Sequence, residues 1–201
     1  MQSTQFWRSY TSDLGRTMDS TRILLLHRPE WTNVIVEKRL RELSKGVREG
    51  LPKNTQYNEA WKSFKERHEM DTKTPPFLES EPVAALRLQC WLIDVVRDAV
   101  LDTTQTHKNI LAMSHSGSIR TLVNGLVPDP LPNTTKEPLL IPNMSVTIIE
   151  LTILNPASEV WHQEQANKNL PNIEELCNVK LIALGWCPHH EEFNNCQGDS
   201  V

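Results

Sequence analysis

The stretch Asn109–Val123, NILAMSHSGSIRTLV, decides the fold. Its first half, Ile110-Leu111-Ala112-Met113, is a short apolar run of the kind that forms a buried strand. Its second half sets Ile119, Leu122 and Val123 at helical spacing. Between them stand Ser114-His115-Ser116-Gly117-Ser118. A strand that runs through small polar residues into a helix is one βα unit. The carboxyl end of a parallel strand is where α/β folds bind ligands, and the free N–H groups of the next helix favour an anion there. His115 is therefore the first candidate functional residue; the alternative is a buried histidine that closes the strand.

The pattern continues in both directions. Residues 13–26 predict a helix capped by Ser12 or Asp13, with Leu14, Met18, Thr21 and Leu25 on one face and Pro29 as its stop. Val34-Ile35-Val36 is a β-branched run that leads into a loop holding Leu40, Leu43, Gly46 and Gly50. Residues 56–70 are weakly helical, and 71–78 form a loop with a double proline. Residues 79–101 carry the strongest helical stripe: Ala84, Leu88, Trp91, Leu92, Val95, Val96 and Ala99. Residues 128–142 are a proline-rich loop, 145–154 and 179–184 are strands, and 156–178 reads as an insertion between them. Strands alternating with helices predict a three-layer α/β/α sandwich with a mostly parallel sheet. The expected division is a domain over 1–190 and a polar tail over 191–201.

Composition narrows the partners. The 201 residues are 38% apolar and 23% charged, with a net charge of -4. A mildly acidic chain is a poor match for nucleic acid or an anionic membrane as main partner, although a few arginines in a cleft still bind an anion. No apolar run approaches the ~20 residues of a membrane span. The first residues lack the apolar stretch of a secretion signal. Four cysteines in a chain with a sizeable core predict reduced thiols and a cytoplasmic location. The cluster Cys187, His189, His190 and Cys196 fits no standard zinc spacing, so no metal is expected.

Four segments in order carry a resemblance: SDLGRTMDST (12–21), LRELSKGVREG (40–50), MSHSGSIRTLV (113–123) and NMSVTIIEL (143–151). Each is weak alone; in register they resemble successive landmarks of the histidine phosphatase superfamily, the phosphoglycerate mutase-like proteins. The resemblance implies hydrolysis of phosphomonoesters on a small molecule or phosphoprotein, without metal or other cofactor. It assigns Arg16 to grip the phosphoryl group, which suits a planar guanidinium fork. It assigns Glu42 as proton donor and acceptor, His115 as stabiliser of charge on the phosphoryl oxygens, and the Ser116 N–H to those same oxygens. Glu42 pairing with Arg39 or Arg41 is the alternative. Arg87 resembles a structural arginine, Asn143 an organiser of backbone near the pocket, and His189 or His190 a pocket-side histidine.

Departures accompany it. The Arg-His-Gly in which the family carries its attacking histidine occurs nowhere in the 201 residues. Ser116 stands where the family has glycine, and Leu43 follows Glu42 where the glycolytic mutases carry arginine, which leans toward the phosphatase branch. The expectation is a phosphatase-family domain truncated at its amino end, through an incomplete gene model or a shortened isoform, and inactive or impaired as it stands. A non-catalytic phosphate-binding or protein-interaction pseudoenzyme, and an unrelated α/β scaffold with chance matches, are the alternatives.

Overall fold

The computed structural model describes residues 5–28, 33–52, 54–68, 78–127, 141–158, 161 and 173–187. Its first strand, β1 (Arg8–Thr11), is one that no apolar run announces. It takes the centre of a three-stranded sheet, with β2 (Val34–Val36) on one side and β3 (Ile110–Met113) on the other, both parallel to it. The register sets Tyr10 beside Ile35 and Ala112. Alternation along β1 explains why it is hard to see. Tyr10 turns to one face and meets the edge of Trp91, ring centroids 5.6 Å apart. Ser9 and Thr11 turn to the other and are buried as hydroxyls. The Thr11 hydroxyl accepts a hydrogen bond from Thr21 at 2.8 Å.

That alternation fixes the layers. Helix α1 (Gly15–His27) lies on the hydroxyl face, and α3 (Glu81–Leu101) on the Tyr10 face. Helix α1 does not bury the expected stripe: Thr17 and Thr21 are buried, while Met18 is 43% exposed. The contact with β1 is made by hydroxyls, so the buried face of α1 is set by hydrogen bonding. The stripe on α3 is buried from Ala84 to Val96, with Ile93 added and Ala99 half-buried. Helix α4 (Ser116–Leu126) packs against α3, and α2 (Tyr57–His68) against a short 3-10 turn at Gly46–Arg48.

The remaining strands, β4 (Val146–Ile153) and β5 (Cys177–Trp186), form an antiparallel pair separate from the parallel sheet. Both sheets share one core: Ile110 of β3 and Ile149, Leu151 and Ile153 of β4 pack against a buried cluster that includes Trp91, Leu88 and Val95. The insertion between β4 and β5 feeds that core: Trp161 and Ile173, which opens α5 (Ile173–Leu176), are each 2% exposed. The indole N–H of Trp161 donates to the Asn155 carbonyl at 2.8 Å. Residues 128–140 of the proline-rich loop and the whole tail after 187 lie outside the described residues, so the domain boundary at 190 does too. Among the described residues no helix is long and apolar enough to cross a membrane.

Leu88 is 1% exposed at the centre of this core. Leu88→Ala is expected to lower unfolding free energy by about 3 kcal/mol, read as a fall in the urea midpoint with unchanged slope.

Candidate active site

Parallel pairing puts the carboxyl ends of β1, β2 and β3 at one edge of the sheet. Each leads directly into a residue of interest. After β1 comes Ser12, whose N–H donates to the Met113 carbonyl at 2.9 Å. After β2 come Glu37 and a 3-10 turn, Lys38–Leu40, and then Glu42. Glu37 caps that turn by accepting from the Arg39 N–H at 2.9 Å. After β3 come Ser114, which donates its hydroxyl to the Leu40 carbonyl at 2.7 Å, and His115, the residue that opens α4.

Three of the expected site residues meet here. Arg16 Nε donates to His115 Nδ1 at 3.2 Å, across 99 residues of sequence. His115 Nε2 stands 3.0 Å from Ser12 Oγ. Glu42 holds the amino end of α4: Oε2 accepts from the Gly117 N–H at 3.2 Å and Oε1 from the Ser118 N–H at 3.2 Å. Oε1 also accepts from the Leu43 N–H at 3.0 Å. The helix terminus expected to be free for an anion is thus partly filled by the chain's own carboxylate. Ser116, at the first turn of α4, is exposed, and its N–H has no partner among the described residues.

The alternative pairing for Glu42 does not form. Arg39 pairs with Glu37 and Asp94, and Arg41 forms a two-pronged pair with Asp13 at 2.6 and 2.7 Å. The Arg41 guanidinium holds the Asp13 carboxyl below its usual range. Arg87 pairs with Glu79 and donates to the Arg39 carbonyl, a tie between α3 and the loop that carries Glu42. Asn143 is exposed and, among the described residues, makes no hydrogen bond to Arg16, Glu42 or His115. It precedes Met144, which sits at φ 60, a left-handed conformation uncommon outside glycine. His189, His190 and Cys196 lie outside the described residues. Among the described residues no group of His, Cys, Asp and Glu has the arrangement of a metal site.

Sequence reasoning missed two members. Ser12 or Asp13 was expected to cap α1; instead Leu14 precedes the first helical residue, Gly15, and the Ser12 hydroxyl faces the imidazole. Gly117 was assigned no role. A Cβ there would stand 2.4 Å from Glu42 Oε1, so the glycine leaves room for the carboxylate. The signal that could have found both is their place beside a strand end: polar residues following β1 and β3 share one rim.

Burial is the main cause that pushes the His115 imidazole below its ordinary range. Arg16 and Arg87 push it the same way, and Glu42 opposes them. The site therefore combines an exposed arginine, a buried imidazole and a carboxylate anchored on backbone amides.

The profile of the histidine phosphatase superfamily (branch 1) matches residues 1–164. The chain belongs to the histidine phosphatase superfamily. Solved structures agree on the histidine phosphatase fold. The mycobacterial glucosyl-3-phosphoglycerate phosphatase is 21% identical with a TM-score of 0.55, covering 90% of this chain and 78% of that one. Bacillus stearothermophilus YhfR is 18% identical with a TM-score of 0.59, covering 94% and 78%. A mycobacterial hydrolase is 19% identical with a TM-score of 0.57, covering 90% and 77%. A search of curated proteins by sequence finds no match.

Two predictions follow from the geometry. Gly117→Ala is expected to push Glu42 off the α4 amides while the fold persists, at a cost of about 1–3 kcal/mol. The check is faster amide hydrogen exchange at Ser118. The second concerns pH. The unfolded chain protonates His115 near about 6.5, and the folded chain only at lower pH. Between those values the unfolded state binds more protons, so stability is lost as pH falls and regained as it rises. The urea midpoint should drop as pH falls through and below about 6.5, and His115→Asn should remove this residue's share of the drop.

Proposed function

We propose that this chain is a phosphatase of the histidine phosphatase superfamily whose site recognises the phosphoryl group of a phosphomonoester, on a small molecule or a phosphoprotein. The observation that carries the reading is the convergence of Arg16, His115 and Glu42, from three separate segments, at the carboxyl edge of the parallel sheet. With Arg16 Nε given to His115, two terminal guanidinium nitrogens remain, and they have no partner among the described residues. Such a pair grips two oxygens of a phosphoryl group at once. The Ser116 N–H adds a third donor at the same rim. His115 completes the pocket.

Glu42 fits the role of proton donor to the departing oxygen. Oε1 takes two of its three backbone hydrogen bonds and so acts as the carbonyl oxygen; Oε2, with one, is left to carry a proton. Hydrolysis in this superfamily also needs an attacking imidazole, which becomes phosphorylated as the leaving oxygen takes its proton; water then releases the phosphate. Among the described residues no second histidine hydrogen-bonds to Arg16, Glu42 or Ser116, and no Arg-His-Gly occurs in the sequence. These two facts support impaired turnover by these 201 residues, with binding retained. They also favour the second reading, a pseudoenzyme that binds phosphate or a protein partner without hydrolysis. The reading includes no metal or other cofactor, no nucleic acid and no membrane. The unpaired thiols of Cys90, Cys177 and Cys187 support a reducing, cytoplasmic setting.

The test is orthophosphate binding by calorimetry beside hydrolysis of p-nitrophenyl phosphate. Phosphate should bind, and Arg16→Ala should weaken it by about tenfold or more, as expected for loss of a charge-assisted contact. Turnover should not rise above buffer. Unchanged phosphate affinity in Arg16→Ala would remove the pocket assignment. Turnover that disappears in His27→Ala would place the chemistry elsewhere, since His27 is exposed at the end of α1.

A further inference from the structure

Resting on the reading of Arg16 as the phosphoryl grip, we propose that Arg41 is a positioning residue: by taking both carboxylate oxygens of Asp13, it keeps that carboxylate off Arg16 and leaves the Arg16 fork to the anion. The starting point is the set of acids that follow the strands at the carboxyl edge of the parallel sheet. Asp13 comes after β1, and Glu37 and Glu42 come after β2. Each is engaged by a partner other than Arg16. Glu37 is held by Arg39, and Glu42 by the amides of Leu43, Gly117 and Ser118. Asp13 is held by Arg41.

Of the three, Asp13 is the acid best placed to capture Arg16. The two stand on either side of Gly15, the first residue of α1. Helical side chains lean toward the amino end, so the neighbour within reach of Arg16 is Asp13 and not Asp19. An acid on the amino side of a basic residue is also the favoured order for such a pair, and the helix dipole draws a carboxylate to this end. Asp13 has little freedom to move away, because the backbone around it is pinned. The Ser12 N–H donates to the Met113 carbonyl, and the Ser12 and Leu14 carbonyls both accept from the Thr17 hydroxyl.

Arg41 is fixed as firmly. Its carbonyl accepts from the hydroxyl of Ser118, a fully buried residue of α4. Its guanidinium makes two parallel bonds, of 2.6 and 2.7 Å, to the two oxygens of Asp13. The Asp13 side chain is 13% exposed, so little water is on hand to replace them. Without Arg41, a shielded carboxylate would face the two terminal nitrogens of Arg16, which have no partner among the described residues. Leaving a shielded charge unpaired is costly, so the fork should turn to it. The Arg41 side chain is half-exposed, so the pair itself adds little stability; its effect is on affinity. That effect passes through Arg16. A direct contact between Arg41 and the anion, or the mere positive field of Arg41, would persist when Arg16 is gone.

The experiment uses the full chain and orthophosphate, by calorimetry at fixed ionic strength and above the range in which His115 protonates. Arg41→Ala should weaken phosphate several-fold with a nearly unchanged urea midpoint. Adding Asp13→Asn should restore the affinity, and in an Arg16→Ala background Arg41→Ala should cause no further loss. A crystal structure of Arg41→Ala should show the terminal nitrogens of Arg16 on Asp13. Unchanged affinity in Arg41→Ala, a loss that Asp13→Asn does not relieve, or the same loss with and without Arg16 would each overturn the proposal. If wild type binds no phosphate while Arg16 sits on Asp13 in Arg41→Ala, the phosphoryl-binding reading falls and the guarding of Asp13 by Arg41 stands. If neither is seen, both fall.

Discussion

Two parallel ladders on β1 hold the rest of the molecule in place. Strand β1 is four residues long and pairs on both sides, so its carboxyl end lies level with those of β2 and β3. The hydrogen bonds that continue those ladders run past the strands: Glu37 N–H to the Thr11 carbonyl and Ser12 N–H to the Met113 carbonyl. These bonds set the heights of Ser12, Glu42 and His115 relative to one another. A shift of one residue would turn Tyr10 away from Trp91 and bring a hydroxyl into the core. The aromatic contact on one face thus protects the polar geometry on the other.

The polar face is an unusual way to attach a helix. Helix α1 meets β1 through Thr17 and Thr21, whose hydroxyls reach Ser12, Leu14, Thr11 and Met113. Each such bond contributes on the order of 1 kcal/mol, less than a buried leucine would. What the arrangement supplies is direction. Hydrogen bonds constrain angle as well as distance, and α1 carries Arg16, whose Nε reaches His115. Apolar packing on this face would leave the helix freer to rotate.

The same contrast governs what the sequence makes legible. Helix α3 and strand β3 show plainly, because their periodicity is apolar and is buried as such. Arg16, Glu42, His115 and Ser116 could be singled out because they stand in short segments with a recognisable order, and the structure brings the first three together. Strand β1 and the buried face of α1 are invisible to a hydrophobic pattern, since the residues turned inward are Ser9, Thr11, Thr17 and Thr21. Gly117 is legible only as a glycine; that Glu42 needs the space above it is a fact of three dimensions. The part played by Trp161 and Ile173 was hidden for another reason: each is an isolated apolar residue in a polar segment, without a period to reveal it.

The seat of Glu42 links the fold to the chemistry. An unpaired helix terminus would be costly at a half-buried edge, and a carboxylate is well suited to it, being drawn there by the helix dipole and by two N–H donors. The residue that closes α4 is therefore also the one whose charge acts on the His115 ring. The arrangement engages the Gly117 and Ser118 amides and leaves Arg16 and the Ser116 N–H at the rim.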